Sequence, residues 1–200
     1  MLLDAPVTLL LLVLNGLVGV YTLFVDPTLL GRWAFRPYRA AKEGEWWRWL
    51  TAGFVHVGLA HMAFNLLTLF FFGPLIEGII GPLRFLALYF GAELAANVLT
   101  HARYKNQPAY SAAGASGAIS GVVFAFCLFY PLETIYVFFA IGMPAIVFAV
   151  LYVAASIYAA KQGGGHVAHE AHLGGALGGV VLTLLLYPAA ARIFLHQLGF

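Results

Sequence analysis

Two hundred residues that are 62% hydrophobic, 9% charged and of mean hydropathy +0.91 stand far from the roughly 25% charged, half-apolar balance of soluble domains. The chain therefore reads as an integral membrane protein; at about 20 apolar residues per span it makes one bundle of about six helices and leaves no room for a sizeable soluble domain. A net charge of +2 implies no nucleic-acid partner, and the single cysteine, Cys127, excludes an intrachain disulfide and suits a packed small hydrophobe.

The first span runs over about residues 6–25. It is too long for the apolar core of a signal peptide, and neither a basic region before it nor an A-x-A site after it is evident. A polar, aromatic connection follows at about 26–49, holding Arg32, Trp33, Arg36, Tyr38, Arg39, Lys42, Trp46, Trp47 and Arg48. Tryptophan, tyrosine and arginine mixed in this way suit the membrane–water boundary, so the connection is expected to lie on the membrane. The second span covers about 59–76 and closes among Gly73, Pro74, Glu77, Gly78, Gly81 and Pro82. The third covers about 83–99 and carries Glu93 and Asn97, whose partners the sequence leaves open. The fourth opens at Ser111–Gly121, a run of tiny residues, and ends at Pro131. The fifth is expected over about 135–160, with a kink at Gly142 and Pro144. A flexible Gly163-Gly164-Gly165 loop then leads into the sixth, about 168–190. The expected fold is all-α, a single polytopic bundle of six transmembrane helices over residues 1–200.

Polar side chains inside a membrane tend to face a bundle interior or a water-filled cavity, and they are functional candidates by default. Four stand out: His61, Asn65, Ser116 and His172. His61 and Asn65 are one helical turn apart and project from one face. Ser116 falls at the first turn of the fourth helix, where free backbone N–H groups and the helix dipole favour a developing anion. Gly114 and Gly117 beside it let another backbone approach closely. In the sixth helix, Gly174/Gly178 and Gly175/Gly179 form overlapping small-xxx-small pairs, and Gly117/Gly121 give the fourth helix a similar surface. If these faces meet, Ser116 and His172 come within hydrogen-bond reach. A neutral imidazole there accepts the serine proton and returns it to a leaving amine.

With these motifs in view, nearly the whole chain resembles the rhomboid intramembrane serine proteases in their basic six-helix bacterial form. The resemblance is carried by Trp47-Arg48, by His56, His61 and Asn65 in HVGLAHMAFN, and by Gly73 and Glu77. It continues in Gly114-Ala115-Ser116-Gly117 and in Ala171-His172 with Gly174 and Gly178. It implies a Ser116/His172 catalytic dyad, with His61, Asn65 and the Ser116 backbone N–H stabilising the oxyanion. It further implies supporting roles for His56, Trp47, Arg48, Glu77, Gly114, Gly117, Gly174 and Gly178, no metal or cofactor, and single-span membrane proteins as substrates. No aspartate follows Asp26 in the chain, in keeping with a dyad.

Ser116 is preferred over Ser120 because it fits GxSG, whereas Ser120 is preceded two residues earlier by alanine. His172 is preferred over His166 and His169 because it alone has the Ala-His-x-x-Gly context. A zinc protease reading of His169-Glu170-Ala171-His172 fails on spacing, since two ligands on one helix face need histidines four apart. A channel, a transporter or an inactive relative shares the composition and the glycine seams, but an inactive relative is expected to lack Ser116 or His172.

Six spans put residues 26–49, 101–108 and 161–167 on one side, together with eight of the ten basic residues. The positive-inside rule assigns that side to the cytoplasm. The resemblance implies the opposite, a bacterial inner-membrane protein with its site open to the extracytoplasmic side, and that orientation is the one expected. The glycine loop is expected to cover the site, with the fifth helix moving to admit substrate. The natural substrate and the oligomeric state are not encoded legibly.

Overall fold

A computed structural model describes residues 2–137, 140–162 and 168–200. Helix α1 (Pro6–Phe24) opens on a proline, whose missing N–H is no loss at a first turn. Its next two N–H groups are satisfied from another helix. The Glu77 carboxylate in α5 (Leu59–Ile80) accepts Val7 N–H at 2.9 Å, Thr8 N–H at 2.7 Å and the Thr8 hydroxyl at 2.7 Å. A Cβ at Gly73 would stand 2.6 Å from Thr8 Cγ2, so that glycine lets α1 approach α5.

The connection folds as α2 (Thr28–Trp33), α3 (Pro37–Lys42), α4 (Arg48–Thr51) and a 3₁₀ turn (Ala52–Phe54). Buried Arg48 holds it, with Nη1 donating to Gly31 O at 3.0 Å and Ala34 O at 2.8 Å and Nε paired with Glu45. Phe35 and Ala112 exchange backbone hydrogen bonds at 2.8 and 3.0 Å, tying the connection to the segment before Ser116. Helix α5 continues through Pro74 beyond its expected end at 76 and turns at Gly81, whose φ of +83° suits glycine, into α6 (Pro82–Tyr104).

Helix α7 (Ser116–Phe129) is buried along almost its whole length among α5, α6 and α9 (His169–Leu186). The glycines of α9 serve two neighbours. Gly175 and Gly179 face α7, where added Cβ atoms would meet Gly117 O at 2.0 Å and Gly121 Cα at 2.3 Å. Gly174 and Gly178 face α6 instead, against Ala95 O at 2.7 Å and Ala95 Cβ at 2.4 Å. One helix thus packs on two partners at once.

The fifth element departs from expectation. A continuous helix over 135–160 with a kink at Gly142 and Pro144 is replaced by an antiparallel hairpin and a shorter helix, α8 (Ala145–Gln162). Strands β1 (Thr134–Val137) and β2 (Ile141–Pro144) pair Thr134 with Pro144 and Tyr136 with Gly142. Thr-Ile-Tyr-Val is rich in β-branched and aromatic residues, and Pro144 ends the strand where the helix begins. The last apolar run also divides. Helix α9 stops at Leu186, and α10 (Ala189–Gln197) follows Pro188.

Among the described residues, α1, α5, α6 and α9 are long and apolar enough to cross a membrane, while α7 and α8 are shorter apolar helices. The molecule is a predominantly helical, multi-pass membrane protein. The Gly163–Gly165 loop and His166 lie outside the described residues.

Candidate active site

Ser116 is the first residue of α7, reached through Gly114 and Ala115. Gly114 has φ +123°, and its N–H donates to Ala52 O at 2.9 Å. A Cβ there would stand 2.4 Å from His61 Cε1, so a left-handed backbone and a histidine ring in contact both require glycine. From α9, His172 Nε2 lies 2.9 Å from Ser116 Oγ. With the hydroxyl donating, the imidazole accepts on Nε2 and carries its proton on Nδ1. The glycine contacts adjoin this bond, since Gly117 is next to Ser116 and Gly175 is one turn beyond His172.

His61 and Asn65 line the same cavity as Ser116 and His172. Asn65 Nδ2 and His61 Nδ1 are buried and have no hydrogen-bond partner among the described residues. The four residues singled out as intramembrane polar groups therefore gather at one place. His56 stacks edge-on against His61 at 5.4 Å between ring centroids, and it is fully buried. Burial first, and His61 second, lower the His56 pKa to about 4.

Two cavities meet at Ser116, His61 and His172. One, of about 560 Å³, is apolar and runs between α5, α7, the hairpin and α8, past Phe71, Phe124, Ile135 and Phe148. The other, of about 770 Å³, is lined by Gln107, Ser111, His169 and Glu170 and opens toward the 101–113 segment. Ser116 and His172 are thus approached by an apolar cavity on one side and a more polar one on the other.

The competing residues fall elsewhere. Ser120 Oγ donates to Ser116 O at 2.7 Å and bonds the Tyr152 hydroxyl at 2.6 Å. His169 borders the polar cavity with its ring 6.3 Å from that of His172, while Glu170 turns away to Arg103 at 2.9 Å and Tyr104 at 2.8 Å. Those three residues do not converge on a point, and among the described residues no group of three His, Cys, Asp or Glu could hold a metal.

Sequence reasoning missed Tyr152. Its ring stands 6.3 Å from the His172 ring, and its hydroxyl ties α8 to α7. One tyrosine in an apolar segment carries no signal of such a contact. The supporting residues are also separated: Glu77, Gly73 and Arg48 lie in the scaffold, whereas Gly114 and Gly117 touch the site.

An apolar bundle enclosing polar residues at the junction of an apolar and a more polar cavity defines a membrane protein with an internal polar site. The rhomboid domain model matches residues 43–189, and the chain belongs to the rhomboid family. It is similar to rhomboid protease GluP of Bacillus subtilis, at 35% identity over 158 residues covering 78% of this chain and 28% of the relative. It is similar to RHOMBOID-like protein 12, mitochondrial, of Arabidopsis thaliana, at 30% identity over 150 residues covering 68% and 45%. A third relative, rhomboid protease GlpG of Yersinia pestis, is 29% identical over 83 residues covering 42% and 30%. The chain thus spans less than half the length of these relatives.

Proposed function

We propose that this chain is an intramembrane serine endopeptidase that cleaves peptide bonds in or near the transmembrane segments of other membrane proteins through a Ser116/His172 dyad. The observation that carries the proposal is the 2.9 Å contact between Ser116 Oγ and His172 Nε2 where the two cavities join. Protease-named relatives support the reaction class.

In the first half-reaction Ser116 Oγ attacks the substrate carbonyl carbon as its proton passes to His172 Nε2. The oxyanion is met by the Ser116 N–H and by donors from His61 and Asn65. The C–N bond then breaks, and the imidazolium gives its proton to the leaving amine. Water from the polar cavity next attacks the acyl-enzyme and loses a proton to His172. The C–Oγ bond breaks, a carboxylic acid leaves, and Ser116 regains its proton. In this reading substrate reaches the site along the apolar cavity between α5 and the hairpin with α8, and α8 is the element that would move to admit it. No cofactor enters these steps.

The six-span arrangement counts α7 and α8 with the four longer helices and sets the polar cavity toward the extracytoplasmic face of a bacterial inner membrane. Four of the eight basic residues on that side are held in ion pairs within the fold. Arg32 pairs with Asp26, Arg39 with Glu43 and Glu45, Arg48 with Glu45, and Arg103 with Glu170. Exposed Trp46 and Trp47 suit a connection lying on the membrane surface.

The test is incubation of a purified single-span substrate with the wild-type chain, Ser116→Ala and His172→Ala, with fragments identified by mass spectrometry. Cleavage at one site by the wild type and none by either variant is expected. Site-specific cleavage retained by Ser116→Ala sinks the dyad.

A further inference from the structure

Glu93 is a carboxyl group buried at the centre of the bundle, and the proposed reaction makes no use of it. It is 4% exposed. From the middle of α6 its Oε2 accepts the backbone N–H of Ala118 at 3.2 Å, and its Oε1 accepts Asn97 Nδ2, also at 3.2 Å. Asn97 Nδ2 in turn lies 2.9 Å from Trp49 O in the connection. Two glycines make room for the carboxyl: a Cβ at Gly53 would stand 3.3 Å from its Cδ, and one at Gly117 3.1 Å from its Oε2.

Ala118 is the third residue of α7, and its N–H is one of those that a helix start leaves without an internal partner. The residue that ordinarily caps such a group is Ala115, which has no side-chain acceptor. Glu93 supplies the cap from a different helix. It takes the third N–H and leaves those of Ser116 and Gly117 with no acceptor among the described residues. Of these two, the Ser116 amide is the one that the proposed reaction offers to the oxyanion.

We infer that Glu93 is a positioning residue: it fixes the first turn of α7 from behind, so that the Ser116 N–H stays free for the oxyanion. The same carboxyl, through Asn97 and Gly53, locks the connection to that turn. This role rests on the protease reading, because only an oxyanion gives the free amide a task. An amide in place of the acid keeps the shape and one accepting oxygen, so it can hold the Ala118 N–H or Asn97 but not both, and a thioether offers a single weak acceptor.

The test uses the full chain in lipid nanodiscs. In the wild type, the Ala118 amide exchanges hydrogen for deuterium at least about tenfold more slowly than those of Ser116 and Gly117, as a satisfied donor beside free ones does. Equal rates overturn the inference without any variant. In Glu93→Met, exchange at Ala118 accelerates by about tenfold or more while residues 122–129 keep their protection, and Glu93→Gln, with one accepting oxygen left, falls between it and the wild type. Substrate cleavage then shows kcat lowered by about tenfold in Glu93→Gln, and further in Glu93→Met, with KM within about twofold of wild type. Wild-type kcat in a folded Glu93→Met also overturns it. Ser116→Ala run in parallel separates the two ideas: cleavage retained there defeats the Ser116/His172 dyad on which the oxyanion role rests, while the exchange pattern still decides whether Glu93 caps α7.

Discussion

Replacing Gly175 with alanine tests whether the glycine seam sets the geometry of the site. The added Cβ would stand 2.0 Å from Gly117 O, with Gly117 C and Cα at 2.8 and 3.1 Å. All three are backbone atoms, so no side chain can rotate out of the way. Reaching the roughly 3.4 Å of ordinary contact requires α7 and α9 to separate by about 1.4 Å near this point. Gly117 adjoins Ser116 and Gly175 is one turn from His172, so most of that displacement reaches the bond at 2.9 Å. Nε2 and Oγ then lie about 4 Å apart, beyond hydrogen-bond range. A misplacement of about 1 Å is enough to lower activity by about 100-fold, and overpacking costs about 1–3 kcal/mol of stability. The assay is cleavage of a single-span substrate, with thermal unfolding to show that the variant is folded. Gly16→Ala is the control, because nothing lies within 4 Å of its added Cβ. A folded Gly175→Ala that cleaves within threefold of wild type refutes the reasoning, because the helices would then be free to part without disturbing the pair.

Tyr152→Phe keeps the ring beside His172 but removes the 2.6 Å bond to Ser120; a loss of about 1 kcal/mol is expected, and an unchanged melting temperature would contradict that bond. Glu77→Ala leaves Val7 N–H, Thr8 N–H and the Thr8 hydroxyl without their acceptor. It should lower stability by about 3 kcal/mol, with the first turn of α1 losing amide-exchange protection before the rest; uniform protection argues against it. His56 gives a pH signature. Its folded pKa of about 4 lies below the usual 6.5, so the unfolded chain binds the proton more readily. Its contribution is therefore complete above about pH 6.5 and falls away as pH drops toward 4, by about 3 kcal/mol in all. Stability of His56→Asn should fall less over this window, and parallel curves would count against the assignment.

The gathering of His61, Asn65, Ser116 and His172 was legible because each is a polar residue in an apolar run, with spacing or glycine context to orient it. The glycine pairs were legible as surfaces but not as to partner. Gly175 and Gly179 meet α7, whereas Gly174 and Gly178 meet α6, and no local pattern distinguishes two adjacent faces of one helix. The hairpin was hidden because a short apolar stretch such as Thr134–Val137 suits strand and helix alike. Gly142 and Pro144 marked a break in either case. Glu93 could be seen as unusual but not placed, since its partners lie 25 and 4 residues away and the more distant is a backbone N–H without a sequence signature.

Helix α7 has 14 residues, about 21 Å of rise, against roughly 30 Å of hydrocarbon. A helix touching lipid over that length would be under mismatch stress. This one is enclosed by protein, so the bilayer grips α1, α5, α6 and α9 and reaches α7 only through them. Ser116 consequently has a depth fixed by its neighbours rather than by the thickness of the membrane around it. Thinner or thicker bilayers act on the four long helices, while Ser116 keeps its level among them.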